Sequence, residues 1–430
     1  MSANVTIVIL IYYIISIFYM LYLFGKYKVC PELLWCASQF LMFFGITHFI
    51  DSNYKSDELL LWMYLLALVC FIIASNTAQL IYAPKRTIPV ERKPEFFQCR
   101  KIYIWIMMLV SIALCGMFFA RGGGNVFLNG IRSLISGTEY STKYSRMGLL
   151  SVSGVGYIYQ LRVVIFPLLV LYYIIIKKRR VSSVILAILM LSFLVGTGQR
   201  GGLFSFIAIV VITLYYLYGD KEEQETTQKK PRTIMIYIGV LGISGLLFGL
   251  STVLNGRVAE GGSVFSAILQ RFIEDNQSCA VWGFRYINNE PIQYGKDWLM
   301  QLVDILPGQN NYMSLDTRIF AYMHGGSTAG TSPSCIWGSA YYNFGVLGVV
   351  LLSTILGFVM TRLHAKFSKK KNDECSVIIY SAEQFLLAYW IAAGPIVLFN
   401  NGFVSVLLLN MIMIFALRYP LVIGRKANNL

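Results

Sequence analysis

Long apolar runs constrain this chain more than any other feature of its sequence. Several stretches of 18 or more residues are nearly free of charge, which is the length and composition of a helix that crosses a bilayer. Of the 430 residues, 57% are hydrophobic and only 13% are charged, values outside the range of ordinary soluble domains. The sequence therefore predicts an all-α, polytopic helical membrane protein.

The runs predict about eleven transmembrane helices. The first run has no basic n-region and no small-residue cleavage site, so we expect a retained helix rather than a signal peptide. The predicted spans are residues 5–24, 33–50, 59–82, 102–120, 156–176, 182–197, 203–218, 234–254, 336–363, 378–398 and 403–421.

Basic residues predict the orientation of the spans. They cluster in alternate loops, which the positive-inside rule places in the cytoplasm. The clusters are Lys85, Arg86, Arg92, Lys93, Arg100 and Lys101, then residues 177–180, 229–232 and 366–371. This puts the N-terminus outside and the C-terminus inside. The formal net charge of +15 is thus explained by topology, and nucleic acid is not an expected partner.

One long polar segment, residues 255–335, separates the eighth and ninth spans. So many charges, amides and glycines cannot lie in hydrocarbon, because unpaired polar groups there are costly. Loops of this length are usually functional. We therefore divide the chain into spans 1–8 (residues 1–254), a large extracytoplasmic loop that carries the active site (255–335, the long loop) and spans 9–11 (336–430).

The cysteines and histidines do not predict a metal site. The eight cysteines lie mostly in or beside spans, and the three histidines are not grouped with them at metal-ligand spacing. We expect neither a metal nor a cofactor. Cys279 and Cys335 lie in or at the edge of the long loop, and we expect two free thiols there rather than a disulfide bond.

Arginines at the predicted outer face are the first chemical signal. Arg162 lies about two turns inside the fifth span, where a charge usually faces a cavity or a partner. Arg200 stands in a short glycine-rich turn at the start of a helix, and Arg318 lies in the long loop. Forked guanidinium groups bind phosphate oxygens bidentately, so this grouping suits a pyrophosphate. The alternative is that such arginines reach lipid headgroups or pair with carboxylates.

The long loop carries the second signal. Residues 264–273 and 298–306 form apolar stripes at helical spacing, typical of helices that lie in the membrane interface or pack on the bundle. The polar residues between and after them suit a sugar or another polar ligand. Those that can act as a base are His324, Asp304, Asp316 and Glu274.

Three local patterns, together with the layout of spans and loop, resemble a known family. They are Gly198-Gln199-Arg200-Gly201-Gly202, His324 followed by five residues and Gly330, and residues 338–348, which run from Gly338 through Asn343 and Gly345 to Gly348. The chain resembles the bacterial oligosaccharide repeat-unit polymerases, the O-antigen and capsule polymerase family. A family pattern of Arg, ten residues and Gly is not met, since Arg271 and Arg318 each miss it by one residue. The resemblance implies a C-type glycosyltransferase-like fold.

The resemblance also implies a reaction. A growing glycan on undecaprenyl pyrophosphate would be transferred to a sugar hydroxyl of a lipid-linked repeat unit, at the outer face of the plasma membrane. The partners implied are the lipid-linked oligosaccharide, the bilayer and a chain-length regulator protein. Arg162, Arg200 and Arg318 are the leaving-group candidates. His324, Asp304, Asp316 and Glu274 are the candidates for base or acceptor-orienting group.

Two other functions stay open on the sequence. An O-antigen ligase has a similar layout and differs in its acceptor. A lipid-linked oligosaccharide flippase is a transporter, for which we expect paired halves and charges along a central path rather than one polar loop.

Overall fold

The computed structural model describes residues 3–91, 93–137, 146, 148–149, 152, 154–177, 180–198, 201–219, 242, 245, 274–306 and 312–421. Regular secondary structure in these residues is helical throughout, with two isolated β-bridges and no strand. The all-α prediction is confirmed for this part of the chain.

In chain order, the helices of the described residues are α1 (Ala3–Tyr27), α2 (Pro31–Ile46), α3 (Lys55–Tyr82), α4 (Pro94–Arg121), α5 (Val126–Ser136), α6 (Val155–Ile176, with a π-helical segment Gln160–Ile165), α7 (Arg180–Val195), α8 (Gly201–Tyr218), α9 (Asn276–Ile287), α10 (Lys296–Val303), α11 (Leu315–Met323), α12 (Ile336–Ser368), α13 (Glu374–Ala388), α14 (Ile396–Asn400) and α15 (Phe403–Arg418).

Six of these helices are long and apolar enough to cross a membrane: α1, α3, α4, α6, α8 and α12. Helices α2, α7 and α15 are apolar but shorter. These nine coincide with nine of the predicted spans, and several of them could cross a membrane, as a multi-pass membrane protein requires. The first apolar stripe, residues 264–273, and all but residues 242 and 245 of the predicted eighth span, residues 234–254, lie outside the described residues.

The predicted tenth span, residues 378–398, is not one continuous helix. Helix α13 ends at Ala388, and the backbone becomes irregular until α14 begins at Ile396. Ala393 takes a positive φ of 56°, and Pro395 cannot continue the i→i−4 hydrogen-bond pattern. The freed groups pair with the end of the long loop, since Ala393 N–H donates to the Ser334 carbonyl at 2.7 Å and Ile336 N–H to the Ile391 carbonyl at 3.1 Å. Irregular backbone at membrane depth is stable only with such partners.

A second break lies inside α12, at Gly345. Its backbone has φ 64° and ψ −153°, a conformation that favours glycine. The break frees the carbonyls of Tyr342 and Asn343, which accept hydrogen bonds from Gln293 N–H at 2.9 Å and Gly295 N–H at 3.2 Å. The long loop is thereby fixed to the start of α12.

The described chain divides into two compact units. The first comprises Met1–Ile88, Ile268–Lys370 and Gln384–Phe399. In this unit α12 packs closely along α3, because Gly357 has no side chain: a Cβ atom there would lie 2.8 Å from the Phe71 carbonyl oxygen.

A buried ion pair joins α9 to α3 in the first unit. Arg285 donates from Nε to Asp57 Oδ1 at 2.9 Å and from Nη2 to Asp57 Oδ2 at 2.7 Å. The Arg285 guanidinium also lies 4.0 Å from the centre of the Tyr54 ring. Arg285 of the long loop therefore pairs with a carboxylate and is not a pyrophosphate contact.

The second unit comprises Pro89–Ala267, Lys371–Glu383 and Asn400–Leu430. Here α4 begins at Pro94, eight residues before the predicted span, because proline and Glu95 both favour a first helical turn. Arg100, expected in a basic loop, is instead buried in α4. It forms an ion pair with Asp373 and donates from Nε to the Met413 carbonyl at 3.1 Å.

Candidate active site in the long loop

Three short helices form the described part of the long loop, residues 274–306 and 312–335: α9, α10 and α11. Cys279 and Cys335 are both free thiols, as expected. The Cys335 thiol instead lies at the start of α12 and accepts a hydrogen bond from Gly338 N–H at 3.2 Å.

Helix α10 has one apolar exposed face and one polar buried face. Leu299 is 62% exposed and Val303 is 41% exposed, whereas Asp297 is fully buried and Gln301 is 4% exposed. Asp297 and Gln301 are four residues apart, so they lie on the same side of the helix. The second predicted stripe is therefore confirmed as an amphipathic helix, although the helix ends at Val303.

The Asp297 carboxylate organises the surrounding side chains. It accepts hydrogen bonds from Gln301 Nε2 at 2.8 Å, from the Tyr312 hydroxyl at 3.1 Å and from Leu315 N–H at 3.0 Å. Burial of the hydroxyl and the Asp297 charge raise the pKa of Tyr312, which keeps this hydroxyl protonated as a donor. Asp297 thus holds the Tyr312 side chain and the first turn of α11 in place.

Helix α11 presents Asp316 and Arg318 beside Asp297. Ser314 caps the helix, since its hydroxyl accepts from Thr317 N–H at 3.4 Å. The Asp316 Oδ1 atom is enclosed and has no hydrogen-bond partner among the described residues. Burial and the negative charge of Asp297 raise the pKa of Asp316 to about 7. A hydrogen bond from the Ser334 backbone acts in the opposite direction and lowers this pKa, but its effect is smaller.

Arg318 is half-buried, and neutral groups hold its guanidinium. Nε donates to the Met313 carbonyl at 3.0 Å, Nη1 donates to the Tyr342 hydroxyl at 3.1 Å, and the guanidinium carbon lies 5.3 Å from the centre of the Tyr312 ring. No carboxylate of the described residues forms an ion pair with it. Arg318 therefore keeps its positive charge available for an anion.

The first turns of α12 complete the site. Ser339 Oγ accepts from Trp298 Nε1 at 2.9 Å, and Asn343 Oδ1 accepts from Trp298 N–H at 3.3 Å. Both residues, like Tyr342, belong to the stretch 338–348 that carries the family resemblance. We call Asp297, Gln301, Tyr312, Asp316, Arg318 and Tyr342 the Asp297 cluster.

The break between α13 and α14 also touches α10. A Cβ atom on Gly394 would lie 2.9 Å from the Trp298 ring and 3.0 Å from Gln301 Oε1. The absence of a side chain at this position lets the irregular backbone lie directly against the helix that carries Asp297.

The chemistry of the Asp297 cluster follows from its charges. A carboxylate with a pKa near neutrality can take a proton from a hydroxyl and later release it. A guanidinium held in place before the reaction can stabilise developing negative charge at little reorganisation cost. The cluster therefore suits acid–base chemistry next to an anionic group.

His324 lies apart from this cluster, at the exposed end of α11. Eight residues separate it from Asp316, about 12 Å along a helix that rises about 1.5 Å per residue. Its ring stacks on Phe320 at 4.0 Å between centres, and Nδ1 donates to the Phe320 carbonyl at 3.0 Å. That bond makes Nε2 the basic nitrogen.

The other two predicted bases are both exposed. Asp304 follows the last residue of α10, and Glu274 precedes α9. Thus, of the four predicted bases, only Asp316 lies in the Asp297 cluster, where the Asp297 carboxylate interacts electrostatically with both Asp316 and Arg318. The other three predicted bases lie outside this cluster.

Arg162 lies in the π-helical segment of α6, in the second unit, and is 2% exposed. Its Nη1 donates to the carbonyls of Phe193 at 2.5 Å and Leu194 at 3.2 Å. These carbonyls belong to the last turn of α7, where the helix dipole is negative. Arg162 thus holds the helix end that leads into the glycine-rich turn. Arg200, in that turn, lies outside the described residues.

Sequence reasoning did not single out Asp297 and Tyr342 as site residues. The four-residue spacing of Asp297 and Gln301, opposite the apolar stripe, was the available signal for Asp297. No local pattern connects Tyr342 with Arg318.

The chain matches no protein-family model, and neither the curated proteins nor the solved structures include one that is similar to it.

Proposed function

We propose that this protein is a polymerase of undecaprenyl-pyrophosphate-linked oligosaccharide repeat units, acting at the outer face of a bacterial plasma membrane. The proposal includes about eleven transmembrane helices, a C-type glycosyltransferase-like fold and an N-terminus outside. The nine apolar helices and the polar long loop support it. A cysteine placed at the exposed Asn288 should then react with a membrane-impermeant thiol reagent in intact cells, and protection from the reagent would contradict the orientation.

The observation that carries the proposal is that Asp316 and Arg318, both on α11, each lie near the buried carboxylate of Asp297. The first turns of α11 thus carry a carboxylate whose pKa is about 7 and a guanidinium that forms no ion pair with a carboxylate of the described residues. Glycosyl transfer from a pyrophosphate needs both functions at one place: a base for the acceptor and positive charge for the leaving group.

In the proposed reaction, a sugar hydroxyl of the lipid-linked repeat unit attacks the anomeric carbon of the growing glycan. The new C–O bond forms as the bond from that carbon to pyrophosphate breaks. The hydroxyl proton passes to Asp316, and the bonding electron pair leaves with undecaprenyl pyrophosphate. Arg318 stabilises the charge that develops on the leaving oxygen.

Arg162 and Arg200 are proposed as the other two arginines, besides Arg318, that serve pyrophosphate binding. The buried Arg162 fixes the end of α7, which supports a positioning role for it. Arg200 then supplies a direct contact. His324, Asp304 and Glu274 are retained as alternative bases, each with its own test by substitution.

The exposed face of α10 supports a lipid-linked substrate. Leu299, Leu302, Val303 and Leu306 are all more than one third exposed, which is typical of a helix that lies in the membrane interface. The opposite side of the same helix carries Asp297 and Gln301 of the Asp297 cluster. In this proposal the lipid therefore contacts one side of α10 and the polar site lies on the other.

The glycan length distribution in cells with and without the protein tests the proposal. A polymerase predicts loss of long chains while products of one repeat unit remain on the final acceptor. Loss of every glycan from that acceptor would indicate a ligase instead. Lipid-linked units confined to the cytoplasmic side of the membrane would indicate a flippase.

A further inference from the structure

A buried group of three potential metal ligands lies in the first unit, outside the long loop. Cys30 and Glu32 are at the start of α2, and His364 is near the end of α12. One ligand atom from each residue lies within 4.8 Å of the others, and all three side chains are fully buried. Because Cys30 and His364 are 334 positions apart in the chain, no local sequence pattern could predict this group.

Two members of the group have unpartnered polar atoms. Glu32 Oε2 and both ring nitrogens of His364 make no hydrogen bond of normal geometry among the described residues, although the Cys30 thiol lies against Glu32 and the Lys85 backbone approaches the imidazole. His364 Nδ1 and Glu32 Oε2 are 3.8 Å apart, beyond hydrogen-bond distance. Buried polar atoms normally have partners, so the unpaired Glu32 Oε2 beside a ring nitrogen of His364 and the Cys30 thiol indicates that an ion binds between them.

The other oxygen of Glu32 is held in place. Thr361, one turn before His364 on α12, donates from Oγ1 to Glu32 Oε1 at 2.7 Å. Thr361 is in turn within 3.0 Å of Ser75 Oγ, which accepts from the Tyr19 hydroxyl at 3.0 Å. This chain of hydrogen bonds leaves Oε2 free toward His364, as supporting residues do in metal sites.

We propose that Cys30, Glu32 and His364 bind a divalent transition-metal ion with the preferences of Zn²⁺. Thiolate, imidazole and carboxylate are the three kinds of ligand that zinc takes in proteins. Bonds of about 2.0–2.3 Å in tetrahedral geometry place ligand atoms about 3.5 Å apart, so small side-chain rotations suffice. A thiolate and a carboxylate together also balance the two positive charges of the ion.

The competing arrangement is an ion pair between Glu32 and a protonated His364. The Lys85 backbone and the edge of the Tyr27 ring also approach this imidazole. In that arrangement the Cys30 thiol stays protonated and donates to Glu32, whereas a metal site requires its thiolate as a ligand. Cobalt, which reports thiolate ligation through a charge-transfer absorption band, separates the two.

The experiment uses the full chain purified in detergent. We expect close to one zinc ion per chain by elemental analysis, and a thiolate–cobalt band when the ion is exchanged for Co²⁺. Cys30→Ser and His364→Gln should abolish the band. Thr361→Val should weaken cobalt binding about 10–100-fold, the usual effect of losing a supporting hydrogen bond. Cys115→Ser, which removes a buried thiol of α4 in the second unit, should change neither quantity.

Absence of both stoichiometric metal and the cobalt band in the wild-type protein would overturn the proposal. This result does not depend on whether any variant folds. Retention of the band in Cys30→Ser would overturn it as well.

Discussion

Asp297 and Asp316 are held side by side because the amide of Leu315 donates to the Asp297 carboxylate at 3.0 Å. Leu315 directly precedes Asp316, so this one bond fixes the first turn of α11 against α10. Burial and the charge of Asp297 then raise the pKa of Asp316 to about 7. The raised pKa of the proposed base, Asp316, therefore depends on the contact between α10 and α11.

The pH dependence of polymerisation should reflect this pair. A base acts only when ionised, so the rate should rise with pH through about 7 and level off above it. Asp297→Asn removes a negative charge that raises the pKa of Asp316, which should move the acid limb of the profile to lower pH. The measurement is the initial rate against pH for purified wild type and variant.

Asp304→Asn and Glu274→Gln are the matched controls, since both carboxylates are exposed. They should leave the acid limb where it is. An acid limb that responds to either control, and not to Asp297→Asn, would contradict the assignment of Asp316.

Replacement of Arg318 should damage the chemical step. Lysine offers a point charge without the planar fork, so Arg318→Lys should lower kcat by about 10²–10³, the usual effect of losing one group that stabilises developing charge. Tyr342→Phe removes one hydrogen bond to Arg318 and should cost about tenfold.

Arg132→Lys provides the comparison, because Arg132 is an exposed arginine of α5 outside the cluster. It should keep the wild-type rate. If Arg318→Lys also kept that rate, Arg318 would be a structural residue of α11 rather than a leaving-group contact.

The two arginines of the second unit should both be intolerant of lysine. Arg162→Lys loses a guanidinium that donates to the carbonyls of Phe193 and Leu194, and Arg200→Lys loses the proposed fork toward pyrophosphate. We expect each variant to abolish long glycan chains in cells while the amount of membrane protein is unchanged. Full chain lengths in both variants would show that they only anchor the protein.

His324 should matter less than Asp316. Its exposed position at the far end of α11 predicts that His324→Ala retains the rate to within about tenfold, since loss of a general base costs on the order of 10²–10⁴-fold. His324→Gln can keep the hydrogen bond to the Phe320 carbonyl and should behave like wild type. A loss of about 10²-fold or more in His324→Ala, with donor binding unchanged, would instead identify His324 as the base.

Local sequence patterns predicted much of the helical framework. Nine spans and the amphipathic helix α10 follow from apolar runs and from the spacing of Trp298, Leu299 and Leu302. The break before α14 had a local signal too, because Gly394 and Pro395 stand within the predicted tenth span. The long apolar composition on both sides outweighed that signal.

Contacts between distant parts of the chain could not be predicted in the same way. Arg285 pairs with Asp57, 228 positions away in the chain, and no sequence pattern near either residue indicates the other as its partner. The same holds for Arg318 and Tyr342, and for His364 beside Glu32. One sequence gives the residue types that need a partner, whereas packing of the helices decides which partner each one has.

The most direct test of the central claim is conversion of a purified lipid-linked repeat unit by the purified protein. We predict a ladder of products that differ by one repeat unit, with one undecaprenyl pyrophosphate released for each linkage formed. Asp316→Asn should stop the ladder at the starting unit. A wild-type protein that binds the repeat unit but forms no longer product and releases no undecaprenyl pyrophosphate would contradict the claim.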